Sequence, residues 1–416
     1  MFDIILIRAE RDVVREALKK RGKDPGIVDQ FLALDNEWRT LVTQLDALRA
    51  AQNALSQARK IDEAKEKKLV IKALEAQCAQ KELERNALVQ QFPNMPSTDV
   101  PVGKDESGNV VVRVVGAKPS FNFPALDYLT IAERMDVIDV KKAAEVAGSR
   151  FGYLKRQAAL LECALIQFAI QHLVKKGFIP VVPPVMIKPA VLQGMGRLAA
   201  GEKDERYYLP SDDVYLVGSA EHTVGPLHMN EILRAKDLPK RYVAFSTCFR
   251  REAGSSGKDT KGILRVHQFD KVEMFSFAAP DQSEKEHQFL LSCQEELLQA
   301  LQLPYRVLHV CTGDMGWTDA EQYDCETWLP GQNEGAGQYR ETHSCSNTTD
   351  FQARGINCRY EGSPTSSASG RIRAGKYVHM LNATGIAIGR IIIAIIENYQ
   401  TADGTFKIPE VLKPYC

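Results

Sequence analysis

The sequence predicts an α+β protein: an N-terminal antiparallel helical coiled-coil hairpin, then a larger domain with antiparallel strands and helices. Residues 242–277 form the first supporting observation, because two strand-forming runs flank a glycine-rich basic loop, as in a long β-hairpin. Apolar residues at heptad spacing within about 27–92 are the second. Apolar helices predicted at 150–176 and 386–399 are the third.

Composition limits the classes of function. With 25% charged and 44% apolar residues and a formal net charge of zero, the chain is an ordinary globular mixture without overall basicity. Its nine cysteines include no C-x-x-C pair, which argues against a zinc cluster and favours the reducing cytoplasm. The N-terminus lacks a signal-peptide core, and the longest charge-poor run, 386–396, contains Arg390, so no membrane span is expected.

The N-terminal segment opens with a strand-like run and a helix that ends at Arg21. Two helices follow, joined by a polar turn at 56–66, and Pro93 stops the second. Helices of about thirty residues would make a hairpin roughly 40–45 Å long. The predicted seam consists of Phe31, Leu34, Trp38, Leu41, Leu45, Leu48, Gln52 and Leu55 with Ile71, Leu74, Cys78, Lys81, Arg85, Leu88 and Phe92. Oligomerisation is the commoner use of heptads, and nucleic-acid binding is the alternative.

Side-chain alternation gives the β-hairpin one polar face. That face carries Ser246, Cys248, Arg250 and Glu252 on one strand and Arg265, His267, Phe269, Lys271, Glu273 and Phe275 on the other. An arginine fork suits a phosphate, a phenyl ring suits a base, and a carboxylate suits an ammonium group. A solvated face with ion pairs is the simpler interpretation, but the order F-R-x-E, basic loop, R-x-H-x-F-x-x-x-E favours a nucleotide beside an amino acid.

Four other stretches have structural predictions. The strand GFIPVVPPVMIK carries Pro183 and Pro184, so it belongs at a sheet edge or an interface. Residues 331–337 and 361–376 are predicted loops. A strand at 377–382 is followed by Thr384, Gly385 and the apolar helix 386–399, in which Arg390 needs an anionic partner. An ion pair within the protein would meet that need, as would a bound phosphate.

The hairpin FRREAGSSGKDTKGILRVHQFDKVE resembles motif 2 of the class II aminoacyl-tRNA synthetases, and specifically of the seryl-tRNA synthetases. GFIPVVPPVMIK and MLNATGIAIGRIIIAIIENYQ resemble motifs 1 and 3 in the expected order, and RETHSCSNTTDFQAR also resembles this family. The resemblance covers nearly the whole chain. It implies a class II synthetase-type antiparallel β-sheet flanked by helices at 99–416, and a tRNA-binding domain at 1–98 whose coiled-coil arm spans about 27–92.

The same resemblance implies the site residues. For ATP, Arg250 would hold the α-phosphate, Arg390 the γ-phosphate, and Glu252, Val266 and Phe269 the adenine. The complete implied ATP set is Arg250, Arg251, Glu252, Val266, Phe269, Glu341, Thr342, His343, Ser344 and Arg390, of which Glu341 and Ser344 would ligate Mg²⁺. The implied serine set is Ser219, Ala220, Glu221, Arg250, Glu273, Asn382 and Thr384. Arg250, Glu273 and Arg390 are the implied catalytic residues.

Three positions depart from the family pattern. Arg251 stands where the family has serine, and strand alternation points it away from Arg250, so little direct effect is expected. Ser219 replaces threonine, which keeps the hydroxyl and removes a methyl. His343 replaces a serine in the predicted ATP set.

The implied activity is ATP-dependent activation of L-serine to seryl-adenylate and transfer of serine to the 3′ end of tRNA(Ser), with tRNA(Sec) as a second candidate. A cytoplasmic homodimer that uses ATP and Mg²⁺, without zinc, is expected. Relatives that load an amino acid onto a carrier protein lack the arm and use zinc. A non-catalytic paralogue is the main alternative, although it would be expected to lose some of Arg250, Glu252, Glu273, Glu341 and Arg390, which are all present. A purely structural coiled-coil protein would not need these motifs.

Overall fold

The computed structural model describes residues 1–199, 203–253, 259–361 and 375–416. Most of the loop predicted at 361–376 and part of the tip of the β-hairpin lie outside these residues. The chain divides into two compact units, Met1–Met95 and Pro96–Cys416. The helices of the first unit are α1 (Ile4–Ala9), α2 (Arg11–Lys20), α3 (Ile27–Gln57) and α4 (Ile61–Val89).

The second unit contains the remaining elements. Its helices are α5 (Tyr128–Met135), α6 (Val140–Ala147), α7 (Arg156–Lys175), α8 (Pro189–Gly194), α9 (Glu221–Val224), α10 (Ser283–Ala300), α11 (Phe351–Ile356) and α12 (Ile388–Asn398). Its strands are β1 (Val110–Val115), β2 (Ile138–Asp139), β3 (Tyr153–Leu154), β4 (Ile179–Val181), β5 (Met186–Ile187), β6 (Tyr208–Leu209), β7 (Val214–Leu216), β8 (Ile232–Leu233), β9 (Lys240–Phe249), β10 (Gln268–Ala278), β11 (Tyr305–His309), β12 (Glu321–Leu329), β13 (Gln338–Asn347), β14 (Arg359–Tyr360), β15 (Lys376–Tyr377) and β16 (His379–Ala387).

The chain begins with a helix, so the predicted strand-like start is wrong. The Asp3 carboxylate accepts a hydrogen bond from the backbone N–H of Ile5 at 2.9 Å, which caps α1. Ile7 of this helix is fully buried. The cap and this burial outweigh the strand preference of the isoleucine-rich segment.

The coiled-coil hairpin is present, with helices of 31 and 29 residues. Its turn is shorter than the predicted 56–66, because α3 ends at Gln57 and α4 begins at Ile61. Arg59 makes the reversal with a φ of +58°, in the left-handed region. The polar residues that suggested a longer turn form the first exposed turns of α4 instead.

The heptad seam is confirmed in the middle of the hairpin and at Phe31 and Phe92 near its base, but it is wrong at position 34. Leu45, Ile71 and Cys78 are buried against each other, as predicted. Nearer the chain ends, Asp35 is buried where the seam predicted Leu34, and Leu34 is only partly buried. Arg8 donates two hydrogen bonds to Asp35 at 2.6 and 2.8 Å, and Arg85 lies 3.7 Å from the same carboxylate. We call Arg8, Asp35 and Arg85 the basal cluster.

The second unit is built on an eight-stranded sheet in the order β1-β11-β12-β13-β16-β10-β9-β4. Its strand pairs are antiparallel except β4 with β9, which is parallel. The predicted β-hairpin is β9 and β10, paired from Lys240–Phe277 to Phe249–Gln268. The strands stop before Arg250 and start after His267, so the predicted strand ends at 252 and 265 are wrong. Glu252 has a φ of +52°, which is incompatible with a continuing strand.

The apolar helices α7 and α12 are buried in the core, as predicted. Leu161, Phe168 and Leu173 of α7 join Ile391 and Ile395 of α12 in one cluster beneath the sheet. By length and composition alone α7 could also cross a membrane, but the core helix of a globular protein meets the same criterion. Its place in the core accounts for this apolar composition.

Three other local predictions can be compared with the structure. β4 lies at the edge of the sheet, as predicted, but Pro183 and Pro184 lie in the connection to β5 and not within a strand. Thr384 and Gly385 belong to β16, which runs on to Ala387, because this segment pairs with β10. The loop at 331–337 joins β12 to β13 and is largely exposed.

Candidate active site

Two cavities adjoin on the side of the sheet that presents Lys271 of β10, and most of the predicted site residues line them. The first cavity is lined by Arg250, Glu252, Val266, Phe269, Lys271, Glu341, Thr342, Ser344, Thr384 and Arg390, among others. The second has a volume of about 430 Å³ and is lined by Arg197, Ser219, Glu221, Arg250, Lys271, Asp319, Ser344, Ser346 and Asn382, among others. Five residues line both cavities: Arg250, Glu252, Arg265, Lys271 and Ser344.

The hairpin end supplies a cation beside an aromatic ring. The Arg250 guanidinium carbon lies 5.2 Å from the centroid of Phe269, and Arg250 Nε donates to the Gly218 carbonyl oxygen at 3.1 Å. Arg265 Nη1 lies 2.8 Å from Glu252 Oε2, which fixes that carboxylate at the rim. A planar base and a phosphate could therefore be held by neighbouring groups.

Arg390 has the anionic partner that its position in α12 required. Its Nη1 lies 3.3 Å from Glu341 Oε1 and donates to the Glu341 carbonyl oxygen at 2.8 Å. Desolvation works against ionisation, but the Arg390 and Arg250 guanidiniums hold the pKa of Glu341 below its ordinary value. A carboxylate that stays charged, beside the Ser344 hydroxyl, offers the oxygen donors that Mg²⁺ prefers.

One acidic residue near these donors was not assigned from the sequence. Asp324 faces Ser344 in the β12–β13 register, and Gln322 donates to its carboxylate at 2.9 Å. Burial, and then the nearby Glu341 carboxylate, raise the pKa of Asp324. The stretch YDCETW contains this residue, but a single aspartate on a strand gives no signal that it faces another strand's serine.

A buried carboxylate and a buried amide lie on the neighbouring strands β10 and β16, and the amide lines the second cavity. Glu273 is 2% exposed, and it faces Thr384 in the β10–β16 register. Asn382 is buried two residues earlier on β16, and its Nδ2 has no acceptor within hydrogen-bonding distance among the described residues. A buried donor without an acceptor is costly, so it marks a place where a ligand oxygen would be stabilised.

Lys271 contacts this carboxylate directly. Its ammonium forms an ion pair with Glu273 Oε2, and the two side chains are 9% and 2% exposed. Burial raises the pKa of Glu273, and the Lys271 charge opposes that rise. The alternation of β10 predicted that Lys271 lies on the ligand face, but nothing in the sequence indicated that it pairs with Glu273 and not with a ligand.

Glu221 is held by two residues outside the β9–β10 hairpin. Arg197 Nη2 lies 2.7 Å from Glu221 Oε1, and Gln352 Nε2 donates to the same oxygen at 2.7 Å. Although burial opposes ionisation, Arg197 lowers the pKa of Glu221. Ser219 Oγ accepts from the Glu221 backbone N–H at 3.3 Å, and Ala220 is buried in the neighbouring apolar cluster. Sequence reasoning named neither Arg197 nor Gln352, which are distant in the chain.

Two predicted ATP residues point elsewhere. His343 Nε2 is 3.0 Å from the Gly385 carbonyl oxygen, and Nδ1 is 2.9 Å from Thr342 Oγ1, so the imidazole lies in the core. Burial lowers the pKa of His343 to about 4, which leaves the ring neutral at pH 7. A register shift between Cys325 and Glu326 accompanies this orientation. Arg251 is exposed, and the structure gives it no place in either cavity wall.

Comparison with known proteins defines the class of this fold and site. Residues 207–399 match the family described as "tRNA synthetase class II core domain (G, H, P, S and T)". Residues 1–96 match the "Seryl-tRNA synthetase N-terminal domain". The unit that contains both cavities is thus a class II aminoacyl-tRNA synthetase core.

Full-length relatives narrow the class to one family. The Serine–tRNA ligase of Acidothermus cellulolyticus is 42% identical over 425 residues, which cover 100% of this chain and 98% of that protein. The seryl-tRNA synthetase of Pyrococcus horikoshii, solved as a complex with ATP, has a TM-score of 0.90, 38% identity, and coverage of 100% and 98%. The cytoplasmic Serine-tRNA ligase of Naegleria fowleri, solved with AMP, has a TM-score of 0.87, 31% identity, and coverage of 100% and 97%.

The chain belongs to the seryl-tRNA synthetase family. This membership confirms the resemblance, the fold and the enzyme class predicted from the three motifs. It does not favour the alternative of a non-catalytic paralogue.

Proposed function

We propose that this protein activates L-serine with ATP to seryl-adenylate and then transfers serine to the 3′ end of tRNA(Ser), with tRNA(Sec) as a second candidate acceptor. The observation that carries this proposal is the shared wall of the two cavities. Arginine, phenylalanine and oxygen donors for a nucleotide line the first cavity, and carboxylates and an amide for an amino acid lie at the second. The adjoining cavities would bring a serine carboxylate and an ATP α-phosphate together.

In the activation step, the serine carboxylate attacks the α-phosphorus and pyrophosphate leaves. Arg250 would bind the α-phosphate oxygens, because its Nε bond to Gly218 directs the guanidinium toward both cavities. When ATP binds, Arg390 would release the Glu341 carboxylate and bind the γ-phosphate. Catalysis then comes from orientation and from charge stabilisation, without a covalent enzyme intermediate.

The oxygen donors of β13 fit a divalent cation. Glu341 and Ser344 would hold Mg²⁺, which when bound neutralises phosphate charge. The lowered pKa of Glu341 keeps this carboxylate charged without the metal. Glu341 also contacts Arg390 through its side chain and its carbonyl oxygen. β13 therefore places both the Glu341 carboxylate and the Arg390 guanidinium toward the phosphates.

Serine would be recognised in the second cavity, at the wall formed by β10 and β16. Glu273 would bind the ammonium group, and Thr384 and Asn382 would bind the hydroxyl, since both lie on β16 beside Glu273. Ser219, Ala220 and Glu221 would close the pocket, and Arg197 and Gln352 hold Glu221 in place. A hydroxyl-binding pocket rejects alanine because its buried polar groups would stay unpaired.

Serine-dependent pyrophosphate exchange tests the proposal. The purified protein should exchange pyrophosphate into ATP with serine in the absence of tRNA, and should form seryl-tRNA only when tRNA(Ser) is added. Alanine should support much less exchange than serine. Free threonine should be rejected less strongly than alanine, because Ser219 lacks the methyl group of the threonine residue that the family has at this position. A folded protein with no serine-dependent exchange would contradict the proposed function.

Thr384→Val should narrow the discrimination between serine and alanine. Valine keeps the shape of the threonine side chain, which is 4% exposed, but it removes the hydroxyl. Activation of serine should then fall by about tenfold in kcat/KM, while alanine activation changes little. Thr98→Val, at an exposed position, is the matched control. An unchanged serine-to-alanine ratio would mean that Thr384 does not contact the hydroxyl.

We further propose a cytoplasmic homodimer that associates through the strand edge at β4. Val182 is 85% exposed there, and Ile179 and Met186 are about half exposed. Val182→Asp should convert the dimer to a monomer in light scattering, because a charge that water solvates in the monomer would be buried in the dimer. Val114→Asp, on the opposite edge strand β1, should leave the dimer intact. A wild-type monomer with full activity would rule this assembly out.

A further inference from the structure

Lys271 occupies the place that the amino-acid substrate needs. It lines both cavities, and its ammonium is paired with Glu273 in the free protein. In the proposed reaction, Glu273 receives the ammonium group of serine. Two ammonium groups on one buried carboxylate would repel each other where little water screens them. Lys271 must therefore leave Glu273, or share it at a cost, when serine binds.

The first cavity offers Lys271 a destination once a nucleotide is bound. The lysine stem is a flexible four-carbon chain, and its side chain already lines that cavity as well as the second one. Arg250 and Arg265 keep protein partners, Gly218 and Glu252, whereas Arg390 is paired with Glu341 until it binds the γ-phosphate. Phosphate oxygens near Arg250 would attract the Lys271 ammonium away from Glu273.

We propose that Lys271 is a transferable counter-ion that makes nucleotide and serine binding mutually favourable. Without nucleotide it neutralises Glu273 and competes with serine. With nucleotide it moves to the phosphates and leaves Glu273 available for the serine ammonium. By linkage, serine must raise nucleotide affinity by the same factor. This inference rests on the proposed function.

Isothermal titration of serine, with and without a saturating non-hydrolysable ATP analogue (α,β-methylene ATP) and Mg²⁺, tests the coupling. In the wild-type protein the analogue should tighten serine binding at least about fivefold. In Lys271→Met the two serine dissociation constants should agree within about twofold. Lys271→Gln is a second variant, since its amide can hydrogen-bond Glu273 without a charge. Lys236→Met, at an exposed position, should keep the wild-type ratio.

The outcomes separate this inference from the proposed function. If Lys271 only neutralises Glu273, the Lys271 variants will bind serine more weakly by the same factor with and without the analogue, and the inference is overturned. A wild-type ratio near one also overturns it, even if pyrophosphate exchange is normal. If the wild-type protein neither binds serine nor exchanges pyrophosphate, the proposed function itself has failed.

Discussion

Arg250→Ala is expected to lower the rate of serine-dependent pyrophosphate exchange by roughly 100- to 1,000-fold, the usual cost of removing one donor to transition-state charge. Arg250 lines both cavities, so it is placed to contact the α-phosphate and the serine carboxylate together. Its fork donates two parallel hydrogen bonds, which lysine cannot reproduce. Arg250→Lys should therefore recover only part of the rate.

The matched control for this change is Arg234→Ala, because Arg234 is exposed and pairs with Asp237. Circular dichroism and thermal unfolding should show that both variants keep the fold, since among the described residues the Arg250 side chain donates to one carbonyl oxygen, that of Gly218. Near-normal exchange by Arg250→Ala would remove this residue from the phosphate site.

Shortening the coiled-coil hairpin is expected to abolish charging of tRNA(Ser) while pyrophosphate exchange continues. We would replace residues 44–76 by Gly-Ser-Gly, which joins α3 to α4 near the level where Lys81 pairs with Glu37. This cut removes the apolar contact between Leu45 and Ile71 but keeps the basal cluster. The variant separates tRNA binding from amino-acid activation, because the two cavities belong to the other compact unit.

Filter binding of labelled tRNA(Ser), beside aminoacylation and exchange assays, gives the measurement. The shortened protein is expected to exchange pyrophosphate at the parental rate, to bind tRNA(Ser) weakly and to form almost no seryl-tRNA. If the shortened protein charges tRNA at the parental rate, then the hairpin is not the tRNA-binding element.

Local patterns in the sequence predicted the elements whose partners lie nearby in the chain. The coiled-coil hairpin has a heptad period, and β9 and β10 are joined directly. The places of β1, β11 and β12 in the sheet could not be predicted, because they depend on pairing between segments far apart in sequence. The first helix was missed because its stability comes from a cap and from burial of Ile7.

The residues of the candidate site also differ in whether the sequence could predict them. The residues of the β9–β10 hairpin, including Arg250 and Phe269, could be grouped from alternation and composition. Arg197, Gln352 and Asp324 could not, since each acts on a site residue of another element. His343 was misplaced because a register shift between its neighbours on β12 cannot be seen in the sequence.

The basal cluster gives the arm a fixed reach. A slip of one heptad between α3 and α4 would move any side chain near the tip by about 10 Å along the arm. Apolar seam residues alone tolerate such a slip, but Asp35 would then lose Arg85 and remain buried with a reduced complement of positive charge. The Arg85 guanidinium also lies over the Trp38 ring, so this cation–π contact depends on the same register. The register of the arm is therefore fixed at Asp35, so the positions of side chains along it are set by contacts at the base and not at the tip.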